Sequence, residues 1–191
     1  MKSFKQFIAE MPELNANIDK STLDDHPHPK SGGPYAHDEY HGPAGEYDFY
    51  SRRYASDEVS PQETKPHTYM LTHDHDDEDT PTHMIARGGT TRKGHFRINS
   101  VAKHPDCSYG ADHFYKTILH HGEHNTIESD SQHSVGGASI WHRLVHDHSD
   151  VEVTRHDKDG KKIKLHTGDD WDKNFEDEHA LDSRFRVKLK D

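Results

Sequence analysis

The stretch Gly94-His95-Phe96-Arg97-Ile98-Asn99-Ser100-Val101-Ala102-Lys103-His104-Pro105-Asp106-Cys107-Ser108-Tyr109-Gly110-Ala111-Asp112-His113-Phe114-Tyr115-Lys116-Thr117-Ile118-Leu119-His120-His121-Gly122 decides the fold. Its first half alternates: Phe96, Ile98 and Ser100 point one way, with Val101-Ala102 near the end, which predicts a strand over 94–104. Pro105 stops it. From Gly110 to His121 the period changes to that of a helix, with Phe114, Tyr115, Ile118 and Leu119 on one side and Gly122 at the end. A strand that breaks into a short loop and opens a helix is a unit of an α/β fold.

Working outward, the elements before this unit are strands. His67 to Thr72 is one, and Thr82 to Arg87 is another, ended by Gly88-Gly89; the acidic run His73 to Pro81 joins them as a long hairpin loop. After the helix come a short strand Thr126 to Ser129 and a second helix from a Ser134 cap to about His146, with Val135, Ala138, Trp141, Leu144 and Val145 inward. Val151 to Thr154 and Lys162 to Leu165 form a hairpin around the turn Asp157 to Gly160. The order is strand, strand, strand, helix, strand, helix, strand, strand. It predicts an α/β fold with a mixed, mostly antiparallel sheet flanked by helices.

The flanks read differently. Residues 11–66 are predicted to be a flexible polar arm, because Asp25-His26-Pro27-His28-Pro29-Lys30, Ser31-Gly32-Gly33-Pro34 and Gly42-Pro43-Ala44-Gly45 punctuate the chain. Its aromatic group, Tyr35, Tyr40, Tyr47, Phe49, Tyr50 and Tyr54, is read as a short helix over 46–56 or as rings folded back over the core. Residues 167–191 are predicted to be a charged tail, acidic to Glu178 and then basic, fitting loosely against the domain.

Composition bounds the whole. Only 29% of the 191 residues are hydrophobic, or about 36% with glycine, against roughly 45–50% in an average domain, so there is material for one modest core over 67–166. No run reaches the ~18 apolar residues of a membrane span, and no apolar signal-peptide block follows the start. A net charge of −11 argues against a nucleic-acid partner held by phosphate neutralisation. Cys107 is the single cysteine, which excludes an intrachain disulfide and a multi-cysteine zinc site. Histidine is abundant, 21 residues scattered along the chain, so net charge depends strongly on pH between 5 and 8.

The element order over 67–166 resembles the C-terminal two thirds of the GCN5-related N-acetyltransferases. Three local features carry the likeness: the loop Pro105 to Ala111, the helix start His113-Phe114-Tyr115, and the run Ser129 to Trp141. The resemblance implies an acetyl-CoA cofactor. Tyr109, Gly110 and Ala111 would supply backbone amides to its pyrophosphate at the helix N-terminus, and the strand end Ser100–Lys103 would present main-chain groups to the thioester. His104 and Glu128 are the candidate bases. The family loop is [RQ]-x-x-G-x-[GA]; here Cys107 stands at the Arg/Gln position and Asp112 at the last small position. The second helix also lacks the family's tyrosine acid. An active but divergent enzyme, a decayed cofactor site and a chance likeness of element order all stay open.

The first ten residues, Met1-Lys2-Ser3-Phe4-Lys5-Gln6-Phe7-Ile8-Ala9-Glu10, form a short amphipathic helix pattern with Phe4, Phe7 and Ile8 on one face. Ten residues are too few to be helical alone in water, so the pattern needs a partner surface. This segment is similar to the capsid-targeting peptide of internal head proteins in T-even-type tailed phages. That resemblance implies delivery into the prohead by contact with its scaffold. It implies cleavage by the prohead protease within Ile8-Ala9-Glu10, after Glu10, and residence in the head interior, followed by entry into the host cytoplasm and a host protein target. A phage N-acetyltransferase that is not packaged and a non-enzymatic acidic binding module of the head are the alternatives.

Other constellations are weighed against plainer readings. His73-Asp74-His75-Asp76-Asp77-Glu78-Asp79 is the densest cluster of metal-ligand types, with His73 and His75 on one face if extended; the plainer reading is a solvated loop, and no metal is assigned. His142 and His146 share a helix face without an HExxH glutamate. Ser131-Gln132-His133-Ser134 has nucleophile and base types but no GxSxG elbow. Cys107 at a loop-to-helix junction is read first as a small structural residue.

Overall fold

The structure, a computed structural model, describes residues 36–54, 65–73, 82–130, 135–157, 159, 161–166 and 183–190. These fall into two compact units, 36–125 and 126–190. The chain is α/β, with nine strands and two helices among the described residues and antiparallel pairing throughout each unit.

In the first unit β1 (Ala36–Ala44), β2 (Tyr47–Tyr54), β3 (Lys65–Thr72), β4 (Thr82–Thr90) and β5 (Phe96–Lys103) form a meander in chain order, followed by α1 (Ala111–His121). Register explains the core. Phe49, Leu71 and Met84 stand opposite one another across β2, β3 and β4, and Tyr50, Met70, Ile85 and Ala102 do so across β2 to β5. Partners in a ladder share a face, so the two rows lie on opposite faces. Both are buried. On the first face Phe49 stacks on Tyr69 (ring centres 5.5 Å) and meets Phe114 of α1 edge-on (6.1 Å). On the second face Tyr50, Met70, Ile85 and Ala102 form one cluster.

The flexible arm predicted over 11–66 is corrected in its described part. Residues 36–54 are a hairpin, so the described part of the predicted 46–56 helix is a turn and a strand. Gly42 (φ +114°) sits at a register shift in β1, and Gly45 (φ +66°) makes the turn into Glu46. Pro43 is tolerated because β1 is an edge strand. Arg52 clamps the hairpin by donating to both carboxylate oxygens of Asp38, at 2.7 and 2.8 Å. The predicted strand end at Gly88-Gly89 is also corrected: β4 continues to Thr90. A Cβ at Gly88 would lie 1.9 Å from the Arg97 carbonyl oxygen, so glycine there lets β5 approach rather than ending the strand.

The second unit holds β6 (Thr126–Ser129), α2 (Val135–Asp147), β7 (Val151–His156), β8 (Lys162–Leu165) and β9 (Arg184–Leu189). Its sheet order is β6-β9-β7-β8, so the last strand is inserted between two earlier ones. The loose charged tail is therefore corrected over 184–189. Phe185 and Val187 alternate inward between Arg184, Arg186 and Lys188, and both are fully buried. Trp141 of α2 stacks on Phe185 at 5.7 Å. No described helix is long and apolar enough to cross a membrane.

Candidate functional site

The loop after β5 is built by local hydrogen bonds. Cys107 N–H donates to the His104 carbonyl (3.0 Å) and Asp106 N–H donates to His104 Nδ1 (3.2 Å), which folds the chain back after Pro105. The β1–β2 turn then holds it from the side. Ser108 N–H donates to the Tyr47 hydroxyl (3.1 Å), and the Ser108 hydroxyl donates to Glu46 Oε1 (2.5 Å). The Tyr109 hydroxyl bonds Thr117 Oγ1 (2.8 Å), and its ring stands edge-on to Tyr47. Gly110 takes the N-cap position of α1 with extended backbone and no side-chain cap.

The Cys107 and Ser108 amides, just before the predicted phosphate-binding residues, are donated within the protein. The positive end of the α1 dipole is met by Asp112, a buried carboxylate in the first turn whose Oδ1 lies 3.1 Å from a Cβ built on Gly110. The Ser108 hydroxyl bond lowers the pKa of the exposed Glu46 carboxyl, against a smaller desolvation effect, and the Tyr47 hydrogen bond and the imidazoles of His73 and His83 add to the fall. The Glu46 carboxylate beside the loop repels a diphosphate. Tyr109, Gly110 and Ala111 stand where this loop joins the start of α1. Cys107 is buried, as the small structural residue of the plainer reading would be.

Of the two candidate bases, Glu128 is buried and held by cations. Arg186 Nε donates to its Oε2 at 2.7 Å, and Arg184 lies 3.7 Å from its Oε1. Such a carboxylate is a structural anion of β6 and β9. His104 accepts the Asp106 amide on Nδ1, which places its proton on Nε2 when neutral. Its ring centre lies 5.6 Å from that of His83. Ile8, Ala9, Glu10 and His75 lie outside the described residues.

His73 belongs to a histidine-lined end of the meander. The ends of β3 and β5 and the starts of β2 and β4 lie together there. His73, His83 and Tyr47 form a triangle of rings with centres 5.3–5.4 Å apart. His73 Nδ1 faces the Glu46 carbonyl oxygen at 3.3 Å. Partial burial and the neighbouring imidazoles of His73 and His104 lower the His83 pKa, so its ring is neutral at pH 7. His83 Nδ1 is buried with no hydrogen-bond partner among the described residues.

A second polar group lies inside the first unit. Burial raises the Tyr69 pKa beyond any physiological range, so its hydroxyl keeps its proton. It accepts from Glu123 N–H (3.0 Å) and donates to His124 Nδ1 (2.7 Å). That bond fixes the tautomer: His124 Nε2–H donates to Thr90 Oγ1 at 2.8 Å. His67 packs edge-on against His124 at 4.9 Å, 2% exposed, and its Nε2 has no hydrogen-bond partner among the described residues. Arg53 pairs with Glu123 at the rim (Nε to Oε1 2.8 Å).

Comparison of the chain with protein-family models, with curated proteins and with solved structures finds no match.

Sequence reasoning missed Glu46, Tyr47 and His83. His83 was recoverable: the predicted hairpin of 67–72 with 82–87 already puts the end of one strand beside the start of the next. Glu46 was not, because it meets Ser108 across 62 residues of chain.

Proposed function

We propose that this chain is an internal head protein of a T-even-type phage whose folded part is a binding module on an acetyltransferase-like frame that does not use acetyl-CoA. The observation that carries the reading is the leader Met1 to Glu10, with its apolar stripe of Phe4, Phe7 and Ile8 and its Ile8-Ala9-Glu10 cleavage pattern. The leader engages the prohead scaffold, the prohead protease cuts after Glu10, and the remaining chain occupies the head interior before delivery into the host cytoplasm, where its acidic surface engages a host protein. The sequence of elements β3, β4, β5, α1, β6, α2, β7, β8 supports the acetyltransferase-like frame. Glu46 and Asp112 at the loop, with the Ser108 amide already spent, favour binding over acetyl transfer.

Mass spectrometry of purified particles is expected to find a peptide beginning at Met11; absence of the protein from particles overturns the packaging reading. Millimolar acetyl-CoA is expected to leave the melting temperature of the full chain unchanged, because a ligand that binds only the folded state raises it. A rise of several degrees would restore the enzyme reading.

A further inference from the structure

We propose that His73 and His83 chelate a divalent transition-metal ion of the zinc, nickel and copper class at the histidine-lined end of the meander. Three observations converge on the pair. First, their ring centres are 5.4 Å apart with planes inclined at 62°. Two imidazoles that share one ion at a metal–nitrogen distance of about 2.0–2.1 Å in tetrahedral geometry have ring centres about 5 Å apart. Second, each ring has a nitrogen to give. The carbonyl of Glu46 can only accept, so His73 Nδ1 carries the proton and its Nε2 keeps the lone pair. This is the way a backbone carbonyl orients a metal-binding histidine. Third, His83 holds a buried nitrogen with no hydrogen-bond partner among the described residues, a cost that a bound ion would remove.

The surroundings agree. Glu46, on the turn beside His73, brings a carboxylate side chain to this end of the meander. Imidazole nitrogen suits the borderline ions and not magnesium or calcium, which take oxygen. His104 is excluded from the pair, although it neighbours His83. The Asp106 amide occupies its Nδ1, and its Nε2 carries the proton.

With 21 histidines in the chain, the test must read individual rings. Zinc chloride is titrated into the untagged full-length protein while the imidazole nitrogens are followed by NMR. The resonances of His73 and His83 are expected to move at the lowest zinc, ahead of all others. His73→Gln, at an exposed position, is expected to weaken the strongest site at least tenfold, and His83→Gln to do the same with its fold checked by circular dichroism. His104→Gln is expected to change affinity less than twofold. The assignment is overturned if other histidines respond first, if no saturable binding is seen, or if folded His73→Gln binds zinc as tightly as the unaltered chain.

Discussion

His67 is an imidazole sealed among Tyr69, Phe96 and His124. Burial above all, and the nearby His124 imidazole next, lower its pKa to about 4, with Arg53 and His41 adding to the fall and Glu123 opposing it. The folded value lies below the unfolded value of ~6.5, so protons favour the unfolded chain. The stability of the neutral ring is complete above pH 6.5 and is lost as pH falls toward 4. The loss is about 2 kcal/mol at pH 5 and roughly 3 kcal/mol in full. His124 and His41, also lowered chiefly by burial, act in the same direction. Urea unfolding of His67→Phe is expected to lose about 2 kcal/mol less than the unaltered chain between pH 7.5 and 5; equal losses would contradict the assignment. None of this was legible in the sequence, where His67 reads as one histidine among many at the start of a strand. Gly88 teaches the same lesson at a single atom. The residue type is visible, but whether it ends a strand or admits a neighbour depends on the Arg97 carbonyl.

Elements were legible where their period survives burial. The change from alternation to helical spacing fixes β5 and α1, and β6 and β8 stand at the predicted residues. The β1–β2 hairpin was not legible, because β2 is covered on both faces: Phe49 and Tyr50 are neighbours in sequence and both are buried, which erases the alternation. β9 was hidden by charge, since three of its six residues are Arg or Lys, yet Phe185 and Val187 make it a core strand. Truncation of Phe185 tests this. Phe185→Ala removes the ring on which Trp141 stacks and is expected to cost about 3–5 kcal/mol in equilibrium unfolding. Glu128→Gln is expected to destabilise the same strands by about 1–3 kcal/mol, the cost of leaving Arg186 without its anion. A loosely attached tail would show neither effect.

At the scale of the whole molecule, charge is set by histidine. The chain carries −11 with all 21 histidines neutral, and its isoelectric point is near 6.0. Electrophoretic mobility is therefore expected to cross zero close to pH 6, with minimum solubility there. The buried rings of His67 and His124 lag behind the surface ones in taking up protons. At pH 7 the molecule repels a polyanion such as DNA and below pH 6 it attracts one; mobility that stays negative at pH 5 would contradict this. The broad α/β class was readable from the order of elements. The contacts that shape the loop 104–111 were not, because Glu46 and Tyr47 reach it from a hairpin more than sixty residues earlier.

The placement of β9 between β6 and β7 has a consequence for biogenesis. During synthesis, both flanking strands leave the ribosome while the slot between them is empty. Each then presents a raw hydrogen-bonding edge to whatever neighbours the nascent chain meets. A translational pause between residues 166 and 183 would hold the second unit in that unzipped condition, the stage at which chaperone capture or clumping with sister polypeptides should peak.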